Sequence, residues 1–113
     1  MIKRGAASIP VQDSIYEMVR RIAAQFHPDK IILFGSHARG KAGPDSDVDL
    51  MVEMESPLPR GARAAEILKA FGIRPWAMDL IVYTPQEVMA SRGTPGSLLT
   101  LIEAEGRTLY EQH

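Results

Sequence analysis

The 113-residue chain contains no cysteine, so disulfide scaffolds, zinc-thiolate sites and thiol nucleophiles are excluded together. It carries no large charge of either sign. Thirteen Lys and Arg stand against 14 Asp and Glu, a formal charge of −1, which leaves little footprint for gripping long nucleic acid. No apolar run approaches the ~18 residues that suggest a membrane span, and the basic residues near the N-terminus are not followed by the apolar segment of a secretory signal. The expected location is the cytoplasm. Repeats and low-complexity tracts are missing, as is the Gly-x-x-x-x-Gly-Lys-[Ser/Thr] phosphate loop. What is present suffices for one core: hydrophobic residues make up 45% of the chain, and a single domain over residues 1–113 is expected.

The informative pattern is Gly35-Ser36, then ten residues, then Asp47-Val48-Asp49. If each fixed residue type occupies roughly one position in fifteen, such a pattern arises by accident about twice per thousand chains of this length. In an extended strand, alternate side chains share a face at ~3.3 Å rise per residue, so the two carboxylates would project together about 7 Å apart. A pair held that closely suits a hard divalent cation such as Mg²⁺. Gly35 and Ser36 close an apolar run, Ile31-Ile32-Leu33-Phe34, and a small glycine turn at that point can bring backbone N–H groups to a phosphate. Arg39 and Lys41 in the same loop could neutralise triphosphate charge. Metal ligands beside a phosphate turn point to nucleotide chemistry.

Periodicity supplies the scaffold. Ile15, Met18, Val19, Ile22, Ala23 and Phe26 recur at helical spacing, and Ser14 with Glu17 reads as a capping box at the helix start. Ile31 to Phe34 predicts a central strand buried on both faces. Residues 35–40 are expected to turn and begin a short helix, and residues 41–46 to form a loop. Residues 47–53 read as a half-covered strand, with Val48, Leu50 and Val52 on one face and Asp47, Asp49, Met51 and Glu53 on the other. Ala62, Ala65, Ile67, Leu68 and Phe71 suggest a helix stopped by Gly72. A third strand is expected over residues 76–83, with Asp79 on the opposite parity from Trp76, Met78, Leu80 and Val82. Thr84-Pro85-Gln86-Glu87 predicts a capped helix to about Ser91. Thr94-Pro95-Gly96 predicts a second start, with Gly106 ending that helix before an extended tail. The alternation defines an α/β or α+β sheet with flanking helices.

Each feature also has a plainer reading. Asp47 and Asp49 could be the solvent face of an edge strand, Gly35-Ser36 a simple strand-ending turn, and His37 and Lys41 surface groups. Asp45 and Ser46 could orient the loop that carries the aspartates. Trp76 and Tyr83 read as packing, and Met18, Met51, Met54, Met78 and Met89 as gap-fillers in the core.

Phe34-Gly35-Ser36-His37-Ala38-Arg39-Gly40, Ser46-Asp47-Val48-Asp49-Leu50 and Met78-Asp79-Leu80 resemble the minimal nucleotidyltransferase (MNT) domains of the DNA polymerase beta-like superfamily. Residues 105–111 are similar to the closing segment of such domains. The resemblance implies a small mixed sheet with flanking helices and Mg²⁺-dependent transfer of AMP from ATP. It implies that Asp47, Asp49 and Asp79 act as metal ligands and catalytic carboxylates, and assigns Ser36, beside Gly35, to the β- and γ-phosphates, with Arg39 also at the matching position. It further implies an antitoxin role beside a HEPN-class toxin, exerted by adenylylating a tyrosine of that partner or by binding alone. A homodimer acting on a small molecule such as an antibiotic is the remaining alternative.

Overall fold

In the computed structural model, residues 11–43, 46–71, 77–92 and 94–112 are described. Helix α1 (Val11–Phe26) turns Ile15, Met18, Val19 and Ile22 inward at spacings of three and four, and all four are buried. It is already helical at Val11, so Ser14 lies inside the helix rather than at its cap. Glu17 pairs with Arg20 one turn on instead of reaching back to a backbone donor. His27, in the left-handed region at φ 51°, closes the helix by donating its N–H to the Ala23 carbonyl.

Four strands follow: β1 (Lys30–Phe34), β2 (Val48–Glu53), β3 (Met78–Tyr83) and β4 (Arg107–Glu111), ordered β3-β2-β1-β4. β1 is antiparallel to both neighbours, while β2 and β3 are parallel and joined through helix α2 (Arg60–Leu68), giving the expected mixed sheet. Both faces are covered. Ile31, Leu33, Val48, Leu50, Val52, Leu80 and Val82 pack with α1 and with Ile67 of α2. On the other face Ile32, Met51 and Tyr83 meet Val88 of α3 (Pro85–Ser91) and Leu99 and Ile102 of α4 (Leu98–Glu105).

Several boundaries differ from the sequence expectation. β2 begins at Val48, whose N–H donates to the Ala77 carbonyl at 3.0 Å, and Asp47 lies just ahead of the ladder. β2 pairs on both sides, which removes the edge-strand reading, and Met51, on the face it shares with Asp49, is fully buried as a core filler should be. Met89, expected to fill the core, is 72% exposed. Residues 36–40 form successive turns without a helix, so no helix dipole augments that loop. α4 is capped by Ser97, which accepts from the Thr100 N–H at 3.1 Å, and Thr94 contributes only its carbonyl, which accepts from the Thr100 hydroxyl and the Ser97 N–H. The Thr84 cap holds as expected: its hydroxyl accepts from the Glu87 N–H, and Glu87 accepts from the Thr84 N–H. Gly72, Trp76 and Asp45 lie outside the described residues.

One charged side chain ties these pieces together. Arg63 of α2, 9% exposed, donates to the Leu58 carbonyl at 2.9 Å, the Val82 carbonyl at 3.3 Å and Glu87 Oε1 at 2.7 Å. Its buried guanidinium is therefore both satisfied and neutralised.

Candidate active site

Strand register brings two of the three predicted carboxylates, Asp49 and Asp79, together. In the parallel β2–β3 pair Asp49 stands opposite Asp79, and in the antiparallel β1–β2 pair it stands opposite Phe34. Directly paired residues project to the same face, so Asp49 and Asp79 share the face that holds Ile32 and Met51. They lie one alternation beyond the part that the core around α3 and α4 covers. Asp79 is exposed and Asp49 half-buried.

Gly35 follows Phe34 directly and has φ +77°, a conformation that suits glycine. The backbone here runs against Asp49: a Cβ on residue 35 would fall on Asp49 Oδ2 and lie 3.1 Å from its Cγ. The turn beyond is held by the Ala38 and Arg39 N–H groups donating to the Gly35 carbonyl at 3.1 and 3.2 Å, and by Lys41 N–H donating to the Ser36 carbonyl at 2.9 Å. Among the described residues these bonds leave the N–H groups of Ser36 and His37, at the head of the turn, outside the internal pattern.

The electrostatics carry the mark of a charge-dense site. Burial raises the Asp49 pKa above its ordinary 3.8; the charge of Asp79 and a side-chain hydrogen bond with it add to the rise, as does the charge of Asp47, while His37 opposes it. Asp49 and Asp79 thus stand side by side across β2 and β3, close enough for each charge to bear on the other. Asp47, exposed and ahead of the strand, acts on Asp49 through charge. Such a group needs a proton or a cation to offset the repulsion. The donors are hard carboxylate oxygens of the kind Mg²⁺ prefers. Among the described residues no three Asp, Glu or His side chains stand preassembled as a metal-holding group, so the fit rests on donor chemistry and on the pairing of Asp49 with Asp79 in the sheet.

The remaining predicted residues are placed less tightly. Ser36 continues the turn from Gly35. Arg39, at its far side, is paired with Glu105 Oε1 of α4 at 3.6 Å, with both side chains nearly half exposed. No sequence pattern marks this partner, because the two residues are distant in the chain and only their opposite charges relate them. His37 is half-buried rather than a free surface group, with Nε2 3.3 Å from the Ser46 carbonyl.

The fold and this acidic face beside a glycine turn define a class. A family model for the nucleotidyltransferase domain matches residues 15–95, and the chain belongs to that family. Among solved structures it is similar to a presumed nucleotidyltransferase from Sulfolobus solfataricus, with a TM-score of 0.60 and 20% identity over 87% of this chain and 78% of that one. It is also similar to a toxin-antitoxin structure with AMP-PNP, at TM-score 0.55 and 19% identity over 87% and 74% of the two chains. A third similar structure is a mutant of the toxin-antitoxin MntA-HpeT, at TM-score 0.51 and 18% identity over 89% and 73%. No curated protein sequence matches the chain. Among the described residues no helix is long and apolar enough to cross a membrane.

Proposed function

We propose that this chain is a Mg²⁺-dependent adenylyltransferase that moves AMP from ATP onto a tyrosine of a HEPN-class toxin partner, and so acts as a cytoplasmic antitoxin. The observation that carries the reading is the pairing of Asp49 with Asp79 across β2 and β3, with Gly35 backed against Asp49. Transfer to an acceptor requires charge on the α-phosphate to be met by fixed opposite charge and the acceptor hydroxyl to be deprotonated nearby. Asp47 and Asp49 would hold Mg²⁺, with Asp79 completing the set; bound there, the ion would offset phosphate charge. Asp79 is the more exposed of the paired carboxylates and is suited to accept the proton of an incoming hydroxyl. Gly35 and Ser36 would cradle the β- and γ-phosphates, and Arg39 would add a cation once it leaves Glu105.

The neighbours support the assignment without extending it. One similar structure is described with AMP-PNP. Another is a toxin-antitoxin mutant in which two aspartates, spaced as Asp47 and Asp49 are, are changed to glutamate. The exposure of Asp47 and Asp79 fits an acceptor delivered by another molecule. Incubation with α-labelled ATP, Mg²⁺ and a co-purifying partner tests the proposal. Label on a partner tyrosine, lost in Asp49→Asn, is the expected result. Neutralisation that persists in Asp49→Asn without any labelling would instead favour a binding antitoxin.

A further inference from the structure

Asp49 and Asp47 are positioned by different means. Asp49 sits within β2, paired on both sides, with Gly35 against it. Asp47 precedes the first ladder residue and has no strand partner among the described residues, so its direction depends on the loop that enters the sheet. That loop is closed by a small hydrogen-bond set: the Ser46 N–H donates to the Gly43 carbonyl at 3.2 Å, and the Gly43 N–H donates to Ser46 Oγ at 2.8 Å. The remaining polar group of Ser46, its carbonyl, belongs to the peptide that continues into Asp47. It lies 3.3 Å from His37 Nε2. His37 also lines a small cavity of about 110 Å³ together with Ile15, Tyr16, Leu33, Gly40, Arg107 and Leu109.

We propose that His37 is a positioning residue: by donating Nε2–H to the Ser46 carbonyl, it ties the Gly35-Ser36 turn to the peptide that carries Asp47. The link joins the two halves of the site at their one loop-borne carboxylate. The inference rests on the reading of Asp47, Asp49 and Asp79 as a divalent-cation centre, but assigns His37 no contact with substrate. A half-buried hydrogen bond of ordinary length makes a modest contribution to order, so the expected effect is graded rather than total.

Mn²⁺ binding to the whole chain, followed by electron paramagnetic resonance, tests this apart from turnover. In His37→Leu, Mn²⁺ affinity should fall about five- to tenfold, and the Mg²⁺ concentration for half-maximal transfer should rise in parallel, with KM for ATP changed less. His37→Gln, whose side-chain amide N–H can reach the same carbonyl, should recover affinity to within about twofold of the parent. Should His37→Leu fail to fold, His37→Asn, whose amide ends short of the carbonyl, takes its place in the same comparison. Parent-like Mn²⁺ binding in the Leu or Asn variant, or no recovery in His37→Gln, overturns the positioning role. Asp49→Asn is the reference: if it too binds Mn²⁺ like the parent, the carboxylate centre itself fails and the role of His37 fails with it.

Discussion

Replacing Gly35 with Ala separates a backbone cost from a site cost, because Gly40 provides a matched control. Both residues have positive φ, +77° and +71°, but a Cβ on Gly40 meets nothing within 4 Å, whereas one on Gly35 collides with the Asp49 carboxylate. An L-residue in the left-handed region costs about 1–2 kcal/mol, and the stiffening of the unfolded chain by Ala offsets part of this equally at both positions. Only at position 35 must Asp49 also rotate away, adding about 0.5–1.5 kcal/mol for an off-rotamer side chain. Over 113 residues, an unfolding entropy of about 2.1 cal/mol/K per residue gives roughly 0.24 kcal/mol/K. The collision therefore predicts a Tm for Gly35→Ala lower than that for Gly40→Ala by about 2–6 °C. The functional gap is wider: turning Asp49 from Asp79 misplaces a carboxylate by a distance on the order of 1 Å, which can cost about a hundredfold in rate. Circular dichroism melts and transfer of α-labelled AMP measure the two. Equal Tm values and equal transfer rates for the two variants would refute the packing of Gly35 on Asp49.

Other perturbations follow from the same structure. Asp49→Asn should abolish transfer yet stabilise the fold at pH 7 without divalent cation, since a raised native pKa means that the parent loses stability as pH rises above about 4; denaturant melts in which the Asn variant is less stable than the parent at pH 7 would contradict this. Glu87, held down to about 2 by its hydrogen bond from Arg63 and then by the Thr84 N–H, contributes stability that is present above its ordinary 4.5 and lost as pH falls toward 2. Glu87→Gln should thus cost about 1–2 kcal/mol at pH 7, discounted for its 28% side-chain exposure, and melt with a shallower acid slope than the parent. The exposed Arg39–Glu105 pair should contribute under about 1 kcal/mol. Glu105→Gln would therefore leave Tm nearly unchanged while freeing Arg39 and tightening ATP binding, and Arg39→Ala would weaken it; titration calorimetry with a non-hydrolysable ATP analogue reads both.

How far such relations can be read from the chain depends on their range. The apolar run before Gly35 predicts β1 because a strand covered on both faces needs no alternation, and Ile31, Ile32 and Leu33 are all buried. Thr84, Pro85 and Glu87 predict a cap because every partner lies within one turn. The same local logic fails at Ser14, where a cap-like spacing lies inside a longer helix, and at Thr94, where Ser97 stands closer to the first turn of α4. Alternation places Asp49 and Asp79 each on one face of its own strand, but says nothing about whether those faces coincide. That depends on the parallel register of β2 and β3, set across the α2 connection.

Register also explains why Met51 fills the core as expected while Asp49, on the same face, does not. The two side chains occupy one face of β2, and position along the strand decides their surroundings. Met51 pairs with Ile32 and Ile81 and packs in the core formed with α3 and α4, where any carboxylate would be stranded without solvent or a partner. Two residues earlier, Asp49 pairs with Phe34 and Asp79, beside the turn that opens at Gly35. A face that is core at one end and acidic at the other needs a boundary, and here it lies where the cover of Val88, Leu99 and Ile102 gives way. The extent of α3 and α4 thus sets where core ends and the candidate site begins, and no short sequence motif encodes that extent.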